Sequence, residues 1–397
     1  MKKIYLDNAS TTHTSKEVVL AMKPYFEKIY GNPSSLHQEG RKARYAVDKA
    51  RKNIAKVLNC QSSEIIFTGS GTESCNLAVF GTSFLKQRKG VHIITSQIEH
   101  HAVLRPCEKL EKQGFSVTYL PVSKEGIINV SDFKKAITPE TFFVSIMYVN
   151  NEIGTIQQIS EIGKIAKKEN QKREKTKLPK ILFHTDACQA AGYLDLDVQK
   201  LGVDLLTING SKIYGPKGTG LLFVKEGVKL DPQMIGGGQE MGLRAGTENL
   251  AGIIGLAKAL EISQKTRNKE SQRLEPLRNY FISQIEKRIP KVSLNGSLEK
   301  RIPNNVNISI LDIEGEAMLL WLDKYGICAT TGSACDSQSL EPSHVILALK
   351  KPYEFAHGSI RFSLGRKTTK KEIDYVLEIL PKIVTKLRNI SPIRVKL

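Results

Sequence analysis

Lys212 stands in a connection rich in glycine and proline, Asn209-Gly-Ser-Lys-Ile-Tyr-Gly-Pro-Lys-Gly-Thr-Gly220, between the apolar run Val203 to Ile208 and a second one starting at Leu221. Apolar, β-branched runs separated by such breakers predict a strand, a tight turn and another strand. An amine held at such a turn among buried neighbours can lose its proton near neutrality through desolvation. It can then form a Schiff base with an aldehyde or ketone. A solvated turn lysine is the plainer reading of this residue alone.

More reactive groups follow other apolar runs. Phe67-Thr-Gly-Ser-Gly-Thr-Glu-Ser74 opens a helical pattern, and backbone N–H groups at such a turn, with the helix dipole behind them, suit a phosphate. Asp186 closes Ile181-Leu-Phe-His-Thr-Asp, where a carboxylate can hold the proton of a pyridine nitrogen or cap the next helix. Glu99-His100-His101 offers an imidazole to stack on a planar ring; adjacent histidines do not share a helix face, which disfavours a metal pair. Thr330-Thr-Gly-Ser-Ala-Cys335-Asp-Ser is a loop of small residues carrying one thiol. A cysteine on a polar loop is a better nucleophile than one in a core, whereas Cys328, in an apolar setting, reads as packing.

The elements that must position these groups alternate. Apolar runs at Glu64–Thr68, His92–Thr95, Ser116–Leu120, Phe142–Val149 and Ile181–His184 are separated by helical patterns or loops, the first preceded by a helix over Arg41 to Leu58. That rhythm predicts an α/β fold around a mostly parallel sheet, with ligands at the carboxyl ends of its strands. From about residue 262 the pattern turns to long amphipathic helices with strands at Val306–Leu311 and Ser359–Leu364. Thr369-Lys-Lys-Glu372 reads as a capping box, and Pro381 as a bend in the last helix. Two units are expected: a large one over 15–261, and a smaller α+β one formed by 1–14 and 262–397 that carries the cysteine loop.

At 397 residues with 40% hydrophobic and 25% charged content, the chain is of ordinary globular composition. Its formal charge of +19, dense between Lys164 and Lys180, lacks interleaved aromatics or a nucleic-acid motif, so a solvated surface is expected and direct nucleic-acid binding is not. Six cysteines form no C-x-x-C pair and no zinc spacing; free thiols in a reducing cytoplasm fit best, with no metal site. The start turns polar before any signal-peptide core forms, and no run is long enough to span a bilayer.

The ordered motifs Tyr5-Leu-Asp-Asn-Ala, Gly31-Asn-Pro-Ser-Ser, Thr72-Glu-Ser, Glu99-His100, Val149-Asn-Asn-Glu-Ile-Gly154, Asp186-Ala-Cys-Gln189, Lys212-Ile-Tyr-Gly-Pro-Lys-Gly218, Arg244-Ala-Gly-Thr-Glu-Asn249, Gly332-Ser-Ala-Cys335, Ser339-Leu-Glu-Pro-Ser343 and Ser359-Ile-Arg-Phe-Ser-Leu-Gly365 resemble the cysteine desulfurases of nitrogen fixation and iron–sulfur assembly. Those are class V aminotransferase-type enzymes of the aspartate aminotransferase fold (pyridoxal-phosphate fold type I), with a seven-stranded sheet in the large domain. The resemblance implies a pyridoxal 5'-phosphate cofactor bound as a Schiff base to Lys212, with Asp186 on the pyridinium and His100 stacked on the ring. It implies Asn151 and Gln189 on the ring substituents, Gly71 and Thr72 on the phosphate, and Thr247 on the phosphate of the partner subunit of a homodimer. It further implies that Asn32, Asn151 and Arg361 bind the substrate, L-cysteine, and that Cys335 accepts its sulfur for delivery to an iron–sulfur scaffold or a tRNA-thiolation relay. Where the family usually places Ser and His near the lysine, this chain has Asn209 and Ser211. Both still donate hydrogen bonds, but the charge of the histidine is lost, which implies a weaker hold on the cofactor. Cys75 stands where an acidic residue is common, and His13 where proline is. A selenocysteine lyase, or a cofactor-free scaffold binding RNA or protein, are the alternatives.

Overall fold

The computed structural model describes residues 3–85, 91–332 and 342–391. Among them, β2 (Ile65–Thr68), β3 (His92–Ser96), β4 (Ser116–Leu120), β5 (Thr141–Ser145), β6 (Leu182–Asp186), β7 (Leu205–Asn209) and β8 (Gly220–Val224) form one sheet in the order β2-β8-β7-β6-β5-β3-β4. β8 runs antiparallel to both its neighbours and every other pairing is parallel. Because β8 is the only reversed strand, the carboxyl ends of β2, β3, β5, β6 and β7 lie along one edge. Both faces are covered, as an almost wholly buried parallel sheet requires.

The strands sit close to their expected places, with one informative difference. β5 stops at Ser145 and not at Val149, because the chain beyond it turns inward and lines a cavity through Met147, Val149 and Asn151. The expected helix over 41–58 is Gln38–Leu58, and it buries Ala43, Ala46, Val47, Ala50, Ile54 and Leu58. It ends on Asn59 in the left-handed conformation, which asparagine tolerates.

A second core lies around an antiparallel sheet of β9 (Val292–Leu294), β10 (Asn305–Ile310) and β12 (Ser359–Ser363). β1 (Ile4–Tyr5) pairs with β11 (Ile327–Cys328), and Ile4 and Leu6 join this core. The helix Lys370–Ile390 carries the expected capping box, Thr369 and Glu372 each bonding the other's backbone, and it runs through Pro381 without a break. A 39-residue helix, Leu250–Arg288, links the two cores. Its first half buries Ile253, Leu256 and Leu260 in the large core; its second half buries Leu274, Phe281 and Ile285 in the small one.

The basic stretch from Lys164 to Lys180 lies mostly on the helix Ile159–Thr176. Arg173 departs from the solvated picture. It is buried and donates to the backbone carbonyls of Thr141 and Pro179, at 2.6 and 3.0 Å.

Candidate active site

Five strand ends deliver side chains to one cavity of about 160 Å³. Gly71 and Thr72 open the helix Gly71–Phe84 after β2; His100 follows β3; Asn151 follows β5; Asp186 is the last residue of β6; Asn209 ends β7, and Lys212 lies in the turn beyond it. Gln189 and Arg361 complete the expected residues that line this cavity.

Asp186 is buried and held from two sides. Its Oδ1 accepts the Cys188 backbone N–H at 2.9 Å, and its Oδ2 accepts the Cys75 thiol at 3.8 Å. Burial first, and the Asp186 charge second, push the Cys75 and Cys188 thiols well above the ordinary cysteine range, so both stay protonated beside the carboxylate. Beneath them His184 bridges Ser145 and Thr207 at 2.8 and 3.0 Å, and burial lowers its pKa to about 4.

His100 caps the helix His101–Glu111 by accepting the Ala102 N–H on Nδ1 at 3.0 Å. Desolvation lowers its pKa against the opposing pull of Asp186, so the ring is neutral and its proton sits on Nε2. The preceding Glu99 is fully buried, with Oε1 accepting from Ser96 Oγ at 2.6 Å and Met147 N at 2.9 Å. Burial raises its carboxyl to about 8.

The orientation of Asn209 follows from its neighbour. Its Oδ1 accepts the backbone N–H of Ser211, which cannot act as an acceptor, so Nδ2 must occupy the other position. A Cβ on Gly71 would meet Asn209 Nδ2 at 3.5 Å and Cys188 Sγ at 2.8 Å. Only glycine therefore fits at the start of that helix, and the amide nitrogen lies beside its N-terminal N–H groups. Several neutral donors meet there, which suits an anion.

Arg361 is buried. Its Nη1 donates to the Asn151 carbonyl at 2.7 Å, and its Nη2 donates to Ser10 Oγ at 2.7 Å and Asp7 Oδ1 at 3.2 Å. Its Nε, also buried, has no acceptor among the described residues. Lys212 donates to the carbonyl of the same Ser10. Ser10 was not among the expected site residues; the one signal was the polar segment Asp7 to Thr12 directly after a short apolar run.

Four expected residues lie elsewhere or beyond view. Asn32 is exposed and its Oδ1 accepts the Ser34 N–H at 2.9 Å. Thr247 is exposed in a separate cleft with Arg244 and Glu248. Ser211 supports Asn209 and does not itself line the cavity. Cys335 falls outside the described residues. Among the described residues no group of His, Cys, Asp and Glu could hold a metal ion, and no helix is long and apolar enough to cross a membrane.

The predominantly parallel sheet with reactive groups at its carboxyl edge is the fold of pyridoxal-phosphate enzymes of fold type I. The solved structure titled NIFS-like protein superposes with a TM-score of 0.90 at 35% identity, covering 97% of this chain and 100% of that one. A structure titled SspA in complex with cysteine gives 0.78 at 36% identity, over 91% and 99% of the two chains. The family model for class V aminotransferases matches residues 4–376, and the chain belongs to that family. The protein named cysteine desulfurase IscS from Dictyoglomus turgidum is 52% identical over 98% of this chain and 97% of its own, and that of Methanosarcina thermophila is 51% identical over 100% and 95%.

Enzymes of this family depend on pyridoxal phosphate, and the donor set fits that group. One cavity offers an amine, a buried carboxylate, a neutral imidazole and a helix start with an amide nitrogen beside it.

Proposed function

We propose that the chain is a cysteine desulfurase that converts L-cysteine to L-alanine and keeps the sulfur as a persulfide on Cys335. The observation that carries this reading is the convergence of Lys212, Asp186, His100 and Arg361 on one cavity, in a chain half identical over its length to proteins of that name. Bound pyridoxal 5'-phosphate supplies an electron sink for the pair left on the substrate's α-carbon. Gly71, Thr72 and the Asn209 amide nitrogen would hold its phosphate, Asp186 its ring nitrogen, Asn151 and Gln189 its ring substituents, His100 its ring face and Lys212 its aldehyde.

Arg361 takes the substrate carboxylate in a two-pronged pair, giving up Ser10 Oγ and Asp7 to do so. Lys212 Nζ, displaced by the substrate's amine, removes the α-proton as general base. The Cys335 thiolate attacks the substrate's sulfur: an S–S bond forms, the C–S bond breaks with its electron pair going to the β-carbon, that carbon takes a proton, and the α-carbon regains the proton held on Lys212 Nζ to give alanine. The persulfide then passes to an acceptor, an iron–sulfur scaffold protein or a tRNA-thiolation relay.

In this reading residues 15–261 are the cofactor-binding unit, and residues 1–14 with 262–397 are the smaller unit that carries the cysteine. The enzyme works as a homodimer in the cytoplasm. Supporting the dimer, Leu36 and Ile235 are each 88% exposed, and Phe26 and Tyr30 are exposed as well. Thr247, away from its own cavity, would serve the phosphate of the partner subunit.

The test is the absorption spectrum of the purified protein before and after adding L-cysteine, with alanine measured in the same tube. A yellow protein whose spectrum shifts and which forms alanine is expected, and Lys212→Ala should abolish the alanine. A protein that stays colourless and inert after pyridoxal phosphate is supplied would overturn the reading.

A further inference from the structure

The segment that carries Cys335 leaves the described fold at Gly332 and re-enters it at Pro342, and one buried side chain meets both ends. Glu152 is 1% exposed, and its Oε2 accepts the hydroxyl of Ser343. A Cβ on Gly332 would come within 2.9 Å of that same Oε2 and 3.2 Å of the Ser343 Cβ. Gly332, Glu152 and Ser343 are thus packed together, and the small side of Gly332, at φ +30°, is what admits the carboxylate.

Glu152 is itself firmly held. Its backbone N–H donates to Asn150 Oδ1 at 2.9 Å, and its carbonyl accepts the side-chain amides of Asn305 and Asn307 at 2.9 and 3.0 Å. One residue earlier, the Asn151 carbonyl takes Arg361 Nη1. On the approach to the segment, Thr330 exchanges backbone hydrogen bonds with Arg361 at 2.7 and 3.2 Å. On its far side, His344 Nε2 meets the carbonyl of Glu99, the residue before His100, at 3.0 Å. Both ends of the segment are therefore referenced to the residues that hold the substrate and flank the ring.

We propose that Glu152 is a positioning residue for sulfur transfer: its carboxylate, bonded to Ser343 and packed on Gly332, fixes the base from which Cys335 is presented to the cavity. The role rests on the desulfurase reading. Attack of a thiolate on the substrate's sulfur requires the two atoms to be brought into line, and a base displaced by about 1 Å costs up to about 100-fold in such a step. Neither the Glu152 carboxylate nor Ser343 lines the cavity that holds Lys212 and Arg361, so loss of their bond is read in transfer and not in capture.

The holoenzyme is compared with Glu152→Ala, Glu152→Gln and Ser343→Ala in a single turnover with L-cysteine. Substrate capture is followed by the absorption change and persulfide on Cys335 by mass spectrometry; the alkylation rate of Cys335 by N-ethylmaleimide is measured in the resting protein. Expected is capture at the wild-type rate and half-saturation, with persulfide formation slowed about 10- to 100-fold in Glu152→Ala and Ser343→Ala. Glu152→Gln, which keeps an acceptor for Ser343, should restore most of the rate. Persulfide at the wild-type rate in both alanine variants, or capture and transfer falling together, would overturn the proposal. Ser343→Ala changes a half-buried hydroxyl and serves if Glu152→Ala does not fold. Should the wild type form no alanine, it is the desulfurase reading that fails; the anchoring is then decided by the alkylation rate, which must change severalfold in Ser343→Ala, and an unchanged rate overturns it too.

Discussion

The carboxamide oxygen of Asn209 accepts both the backbone N–H and the hydroxyl of Ser211, each at 3.1 Å. The pair thereby turns a neutral NH₂ group toward the start of the helix Gly71–Phe84. Asn209→Ala should weaken pyridoxal phosphate binding to the apoprotein about 10-fold, as expected for one hydrogen bond to an ionised group. Asn209→Asp should weaken it further, since a carboxylate would face the phosphate. Titration of the apoprotein with the cofactor, read by absorbance, checks both.

Arg361 is already arranged as a fork, with both Nη atoms engaged. Arg361→Lys keeps the charge but not the two parallel donors. We expect KM for L-cysteine to rise about 10- to 100-fold with a smaller change in kcat, the pattern of lost binding in ground and transition states alike. Steady-state alanine formation measures the split.

Glu99 gives stability a definite pH dependence. Burial raises its carboxyl to about 8 in the folded protein against 4.5 when unfolded, so between those values the folded state holds the extra proton. Its contribution is present in full below about pH 4.5 and is lost as the pH rises toward 8, with a slope of at most about 1.4 kcal/mol per pH unit. His184, held near 4, acts in the opposite sense and loses stability as the pH falls below 6.5. Glu99→Gln should therefore flatten the fall of Tm between pH 6.5 and 8, where His184 is silent. An unchanged slope in thermal melts would refute the assignment.

Cys75, Cys107 and Cys188 are buried with thiol pKa values raised by desolvation. Iodoacetamide added to the native holoenzyme should leave all three unmodified after peptide mapping, because alkylation needs an accessible thiolate. Cys335 should label first. Unfolding in urea should bring the three buried thiols to the same extent of labelling.

What could be read in advance followed local chemistry. Lys212 stood out because glycine and proline punctuate its turn, and Thr369 because a capping box is complete within four residues. Asp186, His100 and Gly71 were legible as groups at the ends of apolar runs. Ser10 was not, since its bond to Lys212 spans 202 positions and nothing local distinguishes it from a surface serine. Glu240 was equally hidden. It pairs with Arg51 at 2.7 Å and takes the Phe67 N–H at 2.8 Å from a loop 173 positions away. The boundary expected near residue 262 falls within a continuous helix: the apolar pattern changes there because the helix passes from one core to the other, while its backbone hydrogen bonds carry on.

That helix spans about 58 Å at 1.5 Å per residue, a single beam embedded at each end in a different hydrophobic core. Neither core can melt without exposing the apolar stripe of half the beam, so loss of one removes the footing of the other. The two cores share one support, and a single transition is the expected outcome of a melt in heat or urea.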